Sequence, residues 1–236
     1  MSLSSLTLRP ADERGLADFG WLKSRHSFSF GEYHDPRFMG FRRLRVINED
    51  RVAGGGGFPT HPHRDMEIFS YVLEGRLEHK DSMGNVRTLE PGQVQLMSAG
   101  SGVTHSEYNP DPDVPTHFLQ IWIEPRQSGQ HPGYTEWHPD PEHADDPKVL
   151  VISPNGADGS AMIHQDASVY RVKLAAGAST SHELTPGRGM WLQVMRGSLS
   201  VNGTTLQAGD GVSSEEAGTF GITGEADCEA LLFDLG

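Results

Sequence analysis

The residues most able to do chemistry stand in two short stretches. The first, Thr60-His61-Pro62-His63-Arg64-Asp65-Met66-Glu67, sets two histidines one residue apart after the glycines Gly54 to Gly57. The second, Gly102-Val103-Thr104-His105-Ser106-Glu107, sets a histidine and a glutamate at the same spacing. Side chains at i and i+2 of a strand share a face. His61 and His63 therefore point one way, as do His105 and Glu107, and on a continuous strand Glu67 shares the parity of the first pair. If the two strands face each other, three imidazoles and a carboxylate meet, a donor set that suits a divalent transition metal. Pro62 stiffens the first pair by fixing its own φ, and glycines at 54–57, 100 and 102 let backbone pass close by. A lone His-x-His is a weak signal, because histidine has many uses. The second His-x-Glu, with a Pro91-Gly92 turn between the stretches, makes metal binding the leading reading.

Such a site needs strands to carry it. Short runs of β-forming residues occur at Leu44–Ile47, Ile68–Leu73, Val94–Met97, Phe118–Ile123, Val149–Ile152, Tyr170–Leu174, Trp191–Met195, Leu199–Val201 and Ala230–Phe233. Turn signals such as Met83-Gly84-Asn85 and Asn202-Gly203 separate them. No segment of about a dozen residues carries a strong 3.6 period, so the expectation is an all-β sandwich or barrel. Residues 125–148 are rich in Pro, His, Asp and Gly and read as a linker between a first domain, 1–124, and a second, 149–236.

The two halves resemble each other. The stretch from Tyr71, "YVLEGRLEH…LEPGQV", and that from Gln193, "QVMRGSLSV…LQAGDGV", align Gly75 with Gly197 and Gly92 with Gly209, which favours a duplicated domain. Carrying these glycine offsets across places Glu183 and Thr185 opposite His61 and His63, and Ile222 and Gly224 opposite His105 and Glu107. A slip of one position brings His182 into line, and a single histidine is not a site. The second half is expected to keep the fold without the ligands.

Composition narrows the function classes. The chain has 236 residues and a formal net charge of −13, which repels phosphate backbones and argues against nucleic acid. The densest basic stretch, Arg42-Arg43-Leu44-Arg45, reads as a strand end. Mean hydropathy is −0.47, and no apolar run approaches the ~18 residues a membrane span needs. The charged residues Arg9, Asp12, Glu13 and Arg14 leave no signal-peptide core. One cysteine, Cys228, allows no intramolecular disulfide. Together these favour the cytoplasm. Alternating aromatics such as Phe28 and Phe30, with Phe41, Phe69, Met97, Phe118 and Trp122, could line a slot for a flat substrate, but residues of this kind usually form barrel core. His131, His138 and His143 lie in the polar linker and read as solvated.

The motifs resemble those of the cupin superfamily. Gly55 stands six before His61, and Glu67 and Gly75 follow, with one residue more between them than the superfamily pattern allows. Gly102 stands three before His105 and Asn109 four after it, while Gly100 replaces the motif's proline. More closely, "GFPTHPHRDMEIFSYVLEG", "EHKDSMGN" and "LMSAGSGVTHSEYN" resemble the pirin family, in particular its bacterial members with quercetin 2,3-dioxygenase activity. The likeness runs from "WLKSRHSFSF" at Trp21 to the C-terminal "LLFDL".

The resemblance implies a bicupin of two stacked β-barrels with the metal in the N-terminal one. It implies His61, His63, His105 and Glu107 as ligands, with Glu67 left as a neighbour of the histidines or a wall residue. It implies one divalent transition metal per chain, iron(II) first, with nickel, manganese, cobalt, copper and zinc suited to the same donors. The expected activity is ring opening of a flavonol or related enol by O2 with release of CO, Glu107 taking the substrate's proton. The alternative is a metal-binding regulatory or redox-sensing protein acting through a protein partner. A metal-dependent isomerase or hydrolase is a third possibility, because fold does not fix function. No membrane is involved in any of these readings, and a monomer is expected.

Overall fold

The structure, a computed structural model, describes residues 5–236, so the first four residues of the expected 1–124 domain lie outside the description. The strands in the first part of the chain are β1 (Thr7–Arg9), β2 (Gly15–Asp18), β3 (Leu22–His26), β4 (Leu44–Val52), β5 (Gly57–His63), β6 (Glu67–Glu74), β7 (Leu77–Asp81), β8 (Val86–Leu89), β9 (Val94–Ser98), β10 (Val103–Tyr108), β11 (Thr116–Ile123) and β12 (Gly133–Trp137). There follow β13 (Lys148–Ser153), β14 (Ala161–Met162), β15 (Ala167–Leu174), β16 (Ser179–Leu184), β17 (Gly189–Arg196), β18 (Ser198–Val201), β19 (Thr204–Gln207), β20 (Gly211–Ser214), β21 (Gly218–Gly224) and β22 (Cys228–Leu235). Every strand expected from sequence falls inside one of these. Both turn signals hold as well, with φ of 98° at Gly84, 47° at Asn202 and 84° at Gly203, values that favour glycine and asparagine.

The fold is an all-β bicupin. Contacts divide the chain into an N-terminal unit, Gly15–Pro139 with Ala161–Gln165, and a C-terminal unit of the chain up to Arg14, Asp140–Ser160 and Asp166–Gly236. Each unit is a pair of antiparallel sheets rather than one closed barrel. In the N-terminal unit one sheet runs β12-β9-β6-β11-β4-β3-β2 and the other β5-β10-β7-β8. The segment 125–148 differs from the linker expected there. Its residues 133–137 form β12, which pairs with β9 from Gly133↔Ser98 to Trp137↔Val94. Few branched apolar residues were needed, because an edge strand has only one partner.

Period two explains where the site can lie. Along β6, Ile68, Ser70 and Val72 share one face, and along β11 Phe118, Gln120 and Trp122 do the same. Ile68 joins Met97, Ala99 and Val103 in one apolar cluster, against which Trp122 packs. Val72 and Phe118 join Leu22, Val52, Leu77 and Leu89 in another. Between them each strand contributes a buried polar side chain: Asn48 and Asp50 on β4, Ser70 on β6, Gln95 on β9, His105 and Glu107 on β10, and Gln120 on β11. The interior is therefore apolar, then polar, then apolar, and the polar band is where a charged ligand can be held.

In the C-terminal unit β16-β21-β18-β19 repeats the smaller sheet, and β20-β17-β22-β15 repeats the order β9-β6-β11-β4. Gly75 and Gly197 follow β6 and β17 with φ of 71° and 66°, and Gly92 and Gly209 precede β9 and β20 with φ of 83° and 91°. The glycine alignment read from sequence is thus a structural one, but the ligand positions carried from it shift. His61 pairs with His105 across β5 and β10, and His182 pairs with Phe220 across β16 and β21. Glu107 pairs with His79, and Ile222 with Val201. The equivalents of His61, His63, His105 and Glu107 are therefore His182, Leu184, Phe220 and Ile222. The fixed offsets fail because the intervening segments differ in length: Gly75 stands 14 residues after His61 but Gly197 stands 15 after His182, and His105 stands 13 after Gly92 but Phe220 only 11 after Gly209.

Candidate metal centre

Each half of the donor set comes from one strand of the smaller sheet. On β5 the alternation of His61, Pro62 and His63 turns both rings inward. On β10 the alternation of buried and exposed residues brings in His105 and Glu107. Gly57 sits where a Cβ would press on the Glu107 backbone, so the two strands can close only with glycine there. The ring centroids of His61, His63 and His105 lie 4.8, 4.5 and 4.9 Å apart.

The tautomers follow from the hydrogen bonds. His61 Nδ1 is 2.8 Å from the Pro59 carbonyl oxygen. A carbonyl only accepts, so Nδ1 carries the proton and Nε2 keeps a lone pair. His79, fully buried opposite Glu107 on β7, places Nε2 3.2 Å from Asp81 Oδ2. Its Nδ1, 3.4 Å from His105 Nδ1, is then an acceptor. His105 donates to it and also keeps its lone pair on Nε2. These two bare nitrogens, His61 Nε2 and His105 Nε2, face each other at 3.1 Å. They repel unless a cation lies between them, so the residues present fit a metal. Burial, with repulsion from His61, lowers His63 to about 4. Burial, with repulsion from His61, His63 and His79, lowers His105 to about 2. His63 and His105 are neutral donors at pH 7, as ligation requires.

His79 and Asp81 were not found from sequence. "EHKD" carries no metal spacing, and only the β7–β10 register shows that His79 supports a ligand from behind, the usual arrangement for metal-binding histidines. Asp81 is itself held by the backbone N–H groups of Met83 and Asn85 and by the Asn85 side chain.

Glu107 is fully buried beside His105 and His79, and not among the three converging rings. Its Oε1 accepts from Ser70 Oγ and Gln95 Nε2, each at 3.0 Å, and its Oε2 accepts from Gln120 Nε2 at 2.6 Å. Burial pushes the carboxyl up to about 7 against the bond from Ser70, and the charge of Asp50 adds to the rise. Glu67 lies elsewhere. β5 ends at His63, Asp65 takes a φ of 50°, and β6 begins at Glu67, so the shared parity expected for one continuous strand is lost. Glu67 accepts from Ser98 Oγ at 2.7 Å and lies 3.5 Å from His164 Nδ1.

A cavity of about 470 Å³ opens onto His61 and His63 and is walled by Leu22, Phe30, Phe58 and Trp122. Trp122 meets the His63 ring edge to face at 4.9 Å and Phe30 at 5.4 Å. Among the aromatics singled out in the sequence, Phe28, Phe69 and Phe118 are core. Phe28 and Phe30 do not share a strand, since β3 stops at His26. The remaining histidines stay apart, with His138 on Glu136 and His143 on Asp146, each at 2.8 Å. Arg43 and Arg45 both pair with Glu124, which closes the basic stretch.

Burial also lifts Asp50 to about 7 from 3.8, with Ser24 opposing the rise and Glu49 adding to it. A carboxyl whose folded pKa is raised binds more protons folded than unfolded. Its stabilising contribution is full below its unfolded pKa and is lost as pH rises through its folded pKa, at about 1.4 kcal/mol per unit and per group. For Asp50 and Glu107 the window is from about 4 to about 7. In metal-free protein the lowered His63 and His105 oppose this loss, since unfolding lets them take up protons below pH 6.5. The Asp50 share is read by difference: relative to wild type, Asp50→Asn should lose less stability between pH 5 and pH 8. Thermal melts after chelation check this, and an identical pH dependence in the two proteins refutes it.

In the C-terminal unit His182 Nε2 is bound to Asp234 at 2.9 Å, and Leu184, Phe220 and Ile222 are buried in the apolar cluster. Metal content should thus be near one per chain, and His182→Ala should leave it unchanged by elemental analysis. A second tightly held ion lost in that variant would overturn the assignment.

Comparison with known proteins follows the same division. A family profile described as Pirin matches residues 8–123, and one described as Quercetinase C-terminal cupin domain matches residues 150–235. A protein named quercetin 2,3-dioxygenase from Escherichia coli K12 is 47% identical over 228 residues, covering 97% of each chain. The crystal structure of YhhW from E. coli superposes with a TM-score of 0.94 at 46% identity, covering 98% of each chain. A second structure, of bacterial pirin YhhW in complex with nickel(II) from E. coli, gives 0.93 at 45% identity, covering 98% of this chain and 99% of that one.

Proposed function

Because the chain belongs to the pirin family, we propose that it is a metal-dependent dioxygenase that opens the ring of a flavonol such as quercetin with O2 and releases CO. The observation that carries the reading is a cluster of three imidazoles, two of which, His61 and His63, line an apolar cavity of about 470 Å³, with the buried carboxylate of Glu107 beside the third, His105. His61, His63 and His105 would hold the metal through Nε2, with Glu107 as the fourth donor. We expect iron(II), and the nickel(II) complex of the E. coli pirin supports a divalent ion of this class. When bound, the metal supplies positive charge that stabilises a deprotonated enol, together with open coordination positions.

The chain's own residues do the rest. Phe30, Phe58 and Trp122 clamp the ring and exclude water. Glu107, raised to about 7, is matched to accept the proton of the enol hydroxyl near neutral pH. Gln120, Gln95 and Ser70 hold its two oxygens in place. Both atoms of O2 enter the cleaved product and one ring carbon leaves as CO.

The test is anaerobic purification and loading with iron, nickel, manganese or copper, followed by O2 uptake and CO release with quercetin and smaller enols. If no loaded form consumes O2, the reading fails. The second reading, a metal-binding regulator that touches a protein partner, is favoured by Leu16 and Phe19, 61% and 66% exposed at the cavity rim. We place the protein in the cytoplasm on its single cysteine and expect a monomer. Among the described residues no helix is long and apolar enough to cross a membrane.

A further inference from the structure

The cavity wall contains a polar patch that the metal centre does not use. Three of its buried atoms make no hydrogen bond of standard geometry, Ser24 Oγ, Asp50 Oδ1 and Trp122 Nε1, although the Ser24 hydroxyl lies close enough to the Asp50 carboxyl to lower its pKa. They come from β3, β4 and β11, neighbours in one sheet, and Ser24 stands directly opposite Asp50 in register. Buried polar atoms are nearly always paired, because an unpaired one has lost its water without recompense. Three such atoms, on residues that wall the same cavity, mark a patch that lacks a full set of partners.

The chemistry of that partner can be read from the atoms. An indole N–H only donates, a serine hydroxyl donates or accepts, and a carboxyl accepts when ionised and donates when protonated. Asp50 is 2% exposed, and burial holds it near neutrality, with Ser24 opposing the shift from the next strand and Glu49 adding to it. Leu22, Phe30 and Phe58 make the surrounding wall apolar. A flat ring carrying a hydroxyl satisfies both the wall and the patch. His61 and His63 line the same cavity, so one ligand can address both.

We propose that Asp50, Ser24 and Trp122 Nε1 form a second subsite that takes a phenolic hydroxyl of the substrate, selecting polyhydroxylated flavonols over those that carry only the enol. This rests on the flavonol reading of the cavity and adds a specificity determinant away from the metal ligands. A site built to bond a hydroxyl discriminates against an analogue lacking it, because its own buried groups are then left unpaired.

The experiment measures anaerobic binding of quercetin and of 3-hydroxyflavone, which has the enol and no phenolic hydroxyl, to metal-loaded protein. Wild type is compared with Asp50→Asn and Ser24→Ala. Quercetin affinity should fall about tenfold or more in Asp50→Asn and a few-fold in Ser24→Ala, while 3-hydroxyflavone changes by less than about twofold. Equal weakening of both ligands, or of neither, overturns the proposal. If Asp50→Asn does not fold, Ser24→Ala carries the same comparison. The two readings fail separately. Asp50-dependent quercetin binding without O2 uptake in any loaded form keeps the subsite and removes the dioxygenase. Turnover of both flavonols with kinetics unchanged in Asp50→Asn does the reverse. No quercetin binding by wild type removes both.

Discussion

Replacing His63 by alanine should leave a folded chain that retains less than about a tenth of its metal and has lost turnover by roughly a thousandfold or more. His63 suits this test better than the other two histidines. It is half-buried at the end of β5, and its ring packs against those of His61, His105 and Trp122. His105 is buried against His79, so its removal also leaves the His79–Asp81 pair without its neighbour. In the metal-free state the two proteins should melt within a degree or so of each other, because losing His63 relieves ring repulsion and burial at the same position that loses contact. Elemental analysis with thermal melts decides the matter. A His63→Ala protein with a full equivalent of metal would show that the three rings are not the site.

Glu107→Gln separates holding a metal from moving a proton. Glutamine keeps the length and can still offer an oxygen, but it cannot accept the enol proton. At matched metal loading turnover should fall about 10²–10⁴-fold, the usual range for a general base, while metal content falls by less. Stability of the metal-free protein should change little. The substitution removes a buried charge, which helps. It also turns one of the contacts with Ser70, Gln95 and Gln120 into a donor facing a donor, which costs about 1–3 kcal/mol. The two effects oppose each other at similar size. CO release and quercetin bleaching give the rates, and equal rates in both proteins would remove the base role from Glu107.

The apolar strands were legible in the sequence because buried central strands read as continuous branched runs, as in "EIFSYVLE" of β6. β5, "GFPTHPH", is polar and largely open, and only its two histidines drew attention to it. The three imidazoles could be paired in advance because i and i+2 share a face. The position of Glu67 could not be settled that way, since a turn at Asp65 breaks the count, and the parity that puts Glu107 on the face of His105 does not show that it lies beside His79 rather than among the three rings. Asp50, Ser24 and His79 had no signal of their own. Their meaning comes from the strands beside them, through pairings such as Ser24↔Asp50 and His79↔Glu107 that no local pattern records.

The correspondence of His61, His63, His105 and Glu107 with His182, Leu184, Phe220 and Ile222 gives this molecule a built-in control. The same scaffold has been written twice, once with donors at all four positions and once with hydrocarbon at three of them. An exchange such as histidine for leucine is thus ruinous at one address and already accepted at the other. Tolerance at these positions is a property of the copy, not of the residue type or of the strand that bears it. A comparison of natural variation among relatives has to be made one copy at a time, because averaging across both would hide the positions under the strongest selection.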